Sequence, residues 1–479
     1  MAETAWDFVA IGAGAAGNGA VRIAGKLGFR TALIENDRVG GACSWTACVP
    51  SKALLQAARI HWNLLHGQRA GISLQSAQID PSGALEWVRE ITNRLGGGDR
   101  SEKLKERGIQ LLRGTGVFED KESVRVGDRI LPARRMLIST GSRPAVPEIE
   151  GLDRTNCLTN LTLFDLPEPP RSMIIVGAGP MGMEMAQAFN RLGTDVTVIE
   201  RDKHVLTRCD AELGDLLRQH LEEEGVTFFF ETEVRRVDQR QGGERRVTAV
   251  VDGQERIFAA EELLIAAGRE AQVDALGLEK AGVTGDADAG IEVNDRLQTS
   301  NPNIYAAGDV LRRWQFTHMA TIEGGHVAHN ALLGADEPMD YSAAGWCMFT
   351  EPEFATVGFR EAQAQEQGLD FEVYRIDPAI PDRAQIEGRP DGAVKVIAEP
   401  GGGRIFGAQI LAARAGEIIQ EFSAAVRHGI PFSALAEDVH VYPTLSIAHY
   451  EVGQMDWQQL AQDPERLEQI RREPGFTGQ

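Results

Sequence analysis

The chain has 479 residues, with 49 Lys or Arg against 70 Asp or Glu and a net charge of −21; at roughly 100–200 residues per domain it holds three or four domains, so a single small module is excluded. An average field this acidic repels polyanions, and no Lys/Arg stripe interleaved with aromatics overrides it, so nucleic-acid binding is not expected. No apolar run approaches the roughly 20 residues of a membrane helix, and the N-terminus MAETAWDFVAIGAG has no basic region or small-residue cleavage site; a cytoplasmic location is expected.

Glycine is over-used, at 52 residues, about 11% where roughly 7% is usual. The first element explains part of the excess. FVAIGAGAAG over residues 8–17 reads as an apolar strand running into G-x-G-x-x-G, with Gly12, Gly14 and Gly17, then an amphipathic helix, then the strand TALIE ending in Glu35. The first glycine makes the tight turn, the second lets backbone approach a pyrophosphate, and the third permits close helix–strand packing; the carboxylate accepts from ribose hydroxyls.

Next comes VGGACSWTACVPSKALL, a Gly-Gly turn followed by C-x-x-x-x-C and a helical pattern. Cys43 and Cys48 can come within bonding range if the intervening SWTA bends back. Three readings are open: a zinc site, which needs two further ligands that the sequence does not show; a buried structural pair; or a cycling dithiol at a helix N-terminus, where the helix dipole favours thiolate. Lys52 follows Cys48 by four positions, on the same helix face. Read alone, it is a solvated surface lysine.

The opening pattern is then written again. MIIVGAGPMG over residues 173–182 carries Gly177, Gly179 and Gly182, and VTVIE ends in Glu200; Gly12 to Gly177 and Glu35 to Glu200 are both spaced by 165 residues. Two fingerprints in register predict two bound dinucleotides, which points to an electron relay from a nicotinamide to a flavin. Glu200 repels a 2′-phosphate and favours NAD; Arg201, Lys203 and His204 follow immediately and keep NADP open. Cys157, Cys209 and Cys347 are scattered and read as packing residues.

The cysteine segment, with Gly41, Ala42, Cys43, Cys48, Val49, Pro50, Ser51 and Lys52, resembles the flavin-proximal disulfide of the pyridine nucleotide–disulfide oxidoreductases. The resemblance extends over nearly the whole chain, through STGSRP at 139–144, IAAGR at 265–269, NIYAAGDV at 303–310, FTHMATIEGG at 316–325, FTEPEFATVGF at 349–359 and RAGEIIQ at 414–420. It implies an α/β fold with two Rossmann-like FAD- and NAD(P)-binding domains and a C-terminal α+β dimerisation domain: FAD domain 1–148, NAD(P) domain 149–270, a central domain 271–343 completing the FAD site, and an interface domain 344–479.

It also implies roles. Gly12, Gly14, Gly17 and Glu35 would hold the FAD adenosine end, and Asp309 the ribityl chain or pyrophosphate. The segment at His318 would start a helix aimed at the flavin. Gly41 and Ala42, Gly116 of the GTG turn, Thr140 and Gly141 of STGS, and Gly268 of AAGR would line the cofactors, and Gly177, Gly179, Gly182 and Glu200 the nicotinamide nucleotide. Cys48 would be the thiolate facing the flavin and Cys43 the thiol that exchanges with substrate. Glu184, two residues beyond Gly182, would pair with Lys52. The implied enzyme is a homodimer with an active site shared across the interface, acting on a small dithiol or disulfide or on a lipoyl carrier protein.

The C-terminal motif departs from the family. Dithiol-handling members carry H-P-T-x-x-E, whose histidine and glutamate form the proton-transfer dyad; here the stretch reads His440-Val441-Tyr442-Pro443-Thr444-Leu445-Ser446-Ile447. Tyr442 takes the histidine position and Ile447 the glutamate position. A phenol with an ordinary pKa near about 10 is a poor base at neutral pH, and loss of a general base costs about a hundred- to ten-thousandfold in rate. His440 is the nearest substitute, with His449 farther off. The tyrosine and the Trp45-Thr46 insert are reminiscent of mercuric reductases, but no cysteine follows Cys347 to deliver the metal. The expectation is therefore a dihydrolipoamide dehydrogenase-like enzyme with atypical acid/base chemistry. The alternatives are a mercuric reductase-like or NADH diaphorase activity on metal ions or quinones, or a non-catalytic flavoprotein acting as sensor or complex subunit.

Overall fold

The structure is a computed structural model that describes residues 5–71, 80–96, 100–377, 381–446 and 461–472. The chain divides into two compact units, residues 1–201 with 224–339 and residues 202–223 with 340–479.

The first unit is built on two parallel sheets. In one, the strands run in the order Ile109–Arg113, Thr31–Glu35, Trp6–Ile11, Arg129–Ile138, then the antiparallel Ser123–Val126 and Gly116–Phe118, with Ile304–Ala306 also pairing in parallel with Arg129–Ile138. The strand WDFVAI is buried along almost its whole length, as expected of a parallel strand covered on both faces. The late strand Ile304–Ala306 brings the segment after residue 270 back to this sheet. Helix Thr317–Leu333 packs on helix Ala15–Lys26 so closely that a Cβ on Gly324 would lie 2.1 Å from the Ala16 carbonyl oxygen.

The second sheet repeats the design with Thr227–Phe229, Asp195–Ile199, Ser172–Val176 and Glu262–Ile265, all parallel. Phe8 pairs with Thr31 in the first sheet and Ser172 with Asp195 in the second, the same separation in sequence, so the repeat read from the glycines extends to the strand register. A three-stranded antiparallel sheet, Glu233–Gln239, Arg245–Val251 and Gln254–Ala260, is inserted before the last of these strands.

The second unit centres on a five-stranded antiparallel sheet in the order Gly345–Met348, Glu353–Gly358, Ile405–Ala412, Ala393–Ala398, Glu372–Ile376. Helix Ala415–His428 lays Ile418, Ile419 and Phe422 into a core with Tyr374, Val396, Ile410 and Phe432. Residues 202–223, expected within the nucleotide-binding domain, group with this unit. Within this unit Lys395, 4% exposed, is 2.7 Å from each of Asp210, Glu212 and Glu361. Burial disfavours the ammonium, but the three carboxylates outweigh it and hold the Lys395 pKa above its usual value. Together they leave no buried charge unpaired there. Among the described residues no helix is long and apolar enough to cross a membrane.

Candidate active site

The two glycine turns have nearly superimposable chemistry. Gly12 has φ +103° and Gly177 φ +109°, and a Cβ on either would lie 2.3 Å from the Ser139 or 2.5 Å from the Ala266 carbonyl oxygen. Gly17 and Gly182 could not carry a Cβ either, since it would meet the Gly12 or Gly177 oxygen at 2.0 Å. Gly14 and Gly179 differ, with nothing within 4 Å of the Cβ position. These two cap the helices Ala15–Lys26 and Pro180–Arg191 with no side chain on the first N–H groups. An open glycine at an uncapped helix start is where a pyrophosphate fits. The carboxylates brace the turns: Glu35 accepts from the Ala13 amide at 2.8 Å and the Asp37 amide at 2.8 Å, and Glu200 from the Ala178 amide at 2.6 Å.

Of the other expected cofactor residues, Gly41 and Thr140 lie against the first turn. Gly41, at φ +61°, has its Cβ position 2.8 Å from Gly14 Cα, so only glycine allows the cysteine segment to approach. Ala42 follows it in the short helix Gly41–Trp45. Thr140 buries its Oγ1 with no hydrogen-bond partner, an orphaned polar atom of the kind a bound group satisfies. Gly141 and Gly268 take φ of +75° and +122°. Asp309 accepts from Ser142 Oγ at 2.7 Å and lies 3.7 Å from Arg269. Gly116 is in a strand, its Cβ position 3.0 Å from the Ile11 side chain, so packing accounts for its size. His318 is exposed, second in the helix Thr317–Leu333, with its ring 5.9 Å from that of Phe316.

Cys43 lies in the helix Gly41–Trp45 and Cys48 begins the helix Cys48–Leu65; both are thiols here. They share one proton unequally. The hydrogen bond from Cys43 holds the Cys48 pKa down to about 6, with further help from Thr317 and the Lys52 charge against the opposing effect of burial. The same hydrogen bond to Cys48, then burial, pushes the Cys43 thiol strongly up. The pair therefore favours ionisation at Cys48 over Cys43. Thr317 Oγ1 lies 3.2 Å from Cys48 Sγ, a partner that sequence reasoning missed; a hydroxyl at a helix start reads locally as a cap, and the sulfur is 269 residues away.

Lys52 and Glu184, which the resemblance pairs, meet. Lys52 Nζ donates to both Glu184 oxygens, at 2.9 and 3.0 Å, with the glutamate side chain 5% exposed. The helices that carry them also meet farther along, where His61 donates to the Arg191 carbonyl and the Arg191 guanidinium stacks 5.2 Å from the Trp62 ring. Between the cysteines, Asn160 donates to the Thr46 carbonyl at 3.1 Å. Trp45 packs: its Nε1 donates to the Val39 carbonyl at 3.1 Å, Gly96 abuts its ring, and Arg38 lies 4.3 Å over it. Of the remaining cysteines, Cys209 is buried and pushed by desolvation to about 12, while Cys157 and Cys347 are half-buried.

Tyr442 and His440 belong to the second unit. The Tyr442 hydroxyl donates to Asp382 Oδ2 at 2.7 Å, and the residue is 65% exposed. His440 is turned inward, its side chain 7% exposed and 3.2 Å from Glu421 of the helix Ala415–His428. Asp382 had no signal in the sequence, because nothing local ties it to a residue 60 positions later. Ile447 and His449 lie outside the described residues.

A doubly repeated dinucleotide cradle with a thiol pair at a helix start defines a flavin- and nucleotide-linked disulfide oxidoreductase. The sequence pattern of the family described as pyridine nucleotide-disulphide oxidoreductase matches residues 6–324, and that of its dimerisation domain residues 345–451; the chain belongs to this family. It is 34% identical to a mercuric reductase of Streptomyces lividans, over 94% of this chain and 95% of the relative. It is 32% identical to a dihydrolipoyl dehydrogenase of Bacillus subtilis (strain 168), over 94% and 96%. Among solved structures, the HOCl-induced flavoprotein disulfide reductase RclA from Escherichia coli, in its Cu(II) complex, superposes with a TM-score of 0.84 at 27% identity, covering 95% of this chain and all of that one. The expected fold class, oxidoreductase activity and use of FAD with a pyridine nucleotide follow from membership, and the dimerisation domain makes the protein a homodimer.

Proposed function

We propose that the enzyme takes two electrons from NADH and delivers them through Cys43 and Cys48 to a small disulfide or a lipoyl carrier, with the active site shared across the dimer interface. The observation that carries this reading is the thiol pair at the two helix starts, with Thr317 3.2 Å from Cys48 and the Lys52–Glu184 pair on the adjoining helices, an arrangement that favours ionisation at Cys48. Gly12, Gly14, Gly17, Glu35, Thr140 and Asp309 would hold the FAD, and the open Gly14 position and orphaned Thr140 hydroxyl fit it. FAD bound there supplies two-electron exchange between the nucleotide and the sulfur pair. Glu200, fixed at its strand end by the Ala178 amide, sets a negative charge where a 2′-phosphate would sit, which favours NADH over NADPH.

The proton shared by the pair prepares each sulfur for its step. When it leaves Cys43, the Cys43 thiolate attacks the substrate disulfide, forms a mixed disulfide and releases one substrate thiolate, which takes up that proton. Cys48, the anion, then attacks Cys43, reforms the enzyme disulfide and releases the second substrate thiolate; the nucleotide's two electrons have reduced one S–S bond. Lys52 would be held in place by Glu184 beside this centre, and His440, engaged by Glu421, would support the loop that presents Tyr442.

A second reading, reduction of a metal ion at the same thiols, is favoured by Tyr442 in place of the usual histidine and by the mercuric reductases among the relatives. The test is steady-state assay of the purified enzyme with NADH and NADPH across lipoamide, small disulfides, quinones and Hg(II), with spectra of the two-electron-reduced protein. The first reading expects NADH-driven disulfide turnover and a long-wavelength thiolate–flavin absorbance that is absent in Cys48→Ser. Disulfides left unreduced while Hg(II) is turned over would replace it with the second.

A further inference from the structure

The proton-transfer dyad looks broken in sequence, yet Tyr442 has a carboxylate partner from elsewhere in the chain. Resting on the disulfide reading above, we infer that Asp382, first residue of the helix Asp382–Ile386, is the positioning residue of the active site's proton-transfer group: it fixes and polarises Tyr442 as the missing glutamate would fix a histidine.

A phenol has one proton and oxygen lone pairs besides. With that proton committed to Asp382 Oδ2 at 2.7 Å, the oxygen is left to face outward as an acceptor, and a donor bonded to an anion becomes a better acceptor itself. The Cys43 thiol can then donate to the Tyr442 oxygen; as it ionises its proton moves to Tyr442 while the Tyr442 proton moves to Asp382, and the relay runs back to protonate the substrate thiolate that Cys43 displaces. The phenol ends neutral, so the relay never requires a free phenolate at neutral pH. The loop is held for this at alternate residues, His440 by Glu421 and Tyr442 by Asp382, and Thr444 Oγ1 donates to the Val441 carbonyl at 2.6 Å between them and the turn. Val439 and Val441, on either side of His440, are 98% and 73% exposed, so side-chain anchoring rather than burial sets the direction of Tyr442.

Asp382 is the charged group that raises the Tyr442 ionisation, by its hydrogen bond first and its charge second. Nearby charged groups pair with one another, Arg383 with Glu387 at 2.6 Å, Arg414 with Glu387 at 3.7 Å, Arg389 with Glu351 and His440 with Glu421, while Glu437 and Asp438 lie on the Tyr442 loop itself.

The test uses the FAD-loaded full chain with Tyr442→Phe, Asp382→Asn, Asp382→Glu, Asp382→Ala and the Tyr442→Phe/Asp382→Ala double variant. Ultraviolet difference titration against the Tyr442→Phe blank isolates Tyr442 from the other four tyrosines. Asp382→Asn, nearly isosteric, is expected to lower the pH at which Tyr442 ionises, and Asp382→Glu to restore it. In the reaction of reduced enzyme with a small disulfide, Tyr442→Phe and Asp382→Ala are each expected to slow the rate about ten- to a hundredfold, with the double variant no slower than Tyr442→Phe alone and reduction by NADH unchanged within about twofold. An unmoved titration in Asp382→Asn overturns the inference whether or not disulfides are turned over, and so do additive rate losses. A wild-type enzyme that turns over no disulfide defeats the earlier reading instead, while the titration still decides the hold of Asp382 on Tyr442.

Discussion

The thiols of the first unit and the tyrosine of the second show two ways of preparing a group for proton chemistry. Cys48 sits at the start of an 18-residue helix, against Cys43 and Thr317 and near the Lys52 charge, and these neighbours bring its ionisation down to about 6 against the effect of burial. Tyr442 stands largely in solvent and meets one carboxylate. At the thiols the environment changes which protonation state exists at neutral pH. At the tyrosine it leaves the state as it is and fixes only where the proton points. Local dielectric and the number of partners make that difference, since each partner counts for more where water is excluded.

The comparison can be broken first at the exchange thiol. Cys43→Ser removes the proposed nucleophile and is expected to lower disulfide reduction by more than about a thousandfold while NADH still reduces the enzyme; half-reactions followed separately by stopped flow check this. A comparable loss in both half-reactions would show that Cys43 shapes the site rather than reacting.

A smaller effect is expected at the pair beside it. Lys52→Met leaves the Glu184 carboxylate, 5% exposed, without its cation, a cost of about 1–3 kcal/mol once the partial exposure of Lys52 is allowed for. Urea unfolding should show this, and Lys52→Met/Glu184→Gln should recover most of it. Equal stability of the single and double variants would mean that water already satisfies Glu184.

The smallest effect is on the titration. Cys48 is held below the ordinary thiol value, so the reduced fold prefers thiolate; the resulting stabilisation is complete above the ordinary thiol range and is lost as pH falls through about 6. Alkylation of the reduced protein at Cys48 should rise with pH through about 6 and level off. Thr317→Val, removing one donor, should move that midpoint up by less than about one unit. A midpoint near the ordinary thiol range in the unsubstituted protein would erase the contrast with Tyr442.

What was legible in the sequence is what depends on near neighbours in the chain. The two glycine turns were readable because Gly12 and Gly177 need positive φ and Gly17 and Gly182 admit no side chain, and both demands fall within one strand–turn–helix. The Lys52–Glu184 contact was legible only through the resemblance, since each residue alone reads as surface or helix charge. Thr317 and Asp382 were not legible at all. Each reaches its partner across a long stretch of chain, and a Thr at a helix start or an Asp after a proline has an adequate local explanation in capping.

The sequence by itself therefore determined the class of fold and the repeated cradle, because backbone conformation and helix position are set within a few residues; the roles of Cys43 and Cys48 came only from the family resemblance and are proposed. Tertiary structure decided which sulfur ionises more readily, which carboxylate meets Tyr442, and that residues 202–223 group with the second unit. Ionisation, hydrogen-bond direction and the pairing of buried charge depend on atoms within a few ångströms in space, and in this chain those atoms come from residues such as Thr317, Asp382 and Lys395 that lie far away along it.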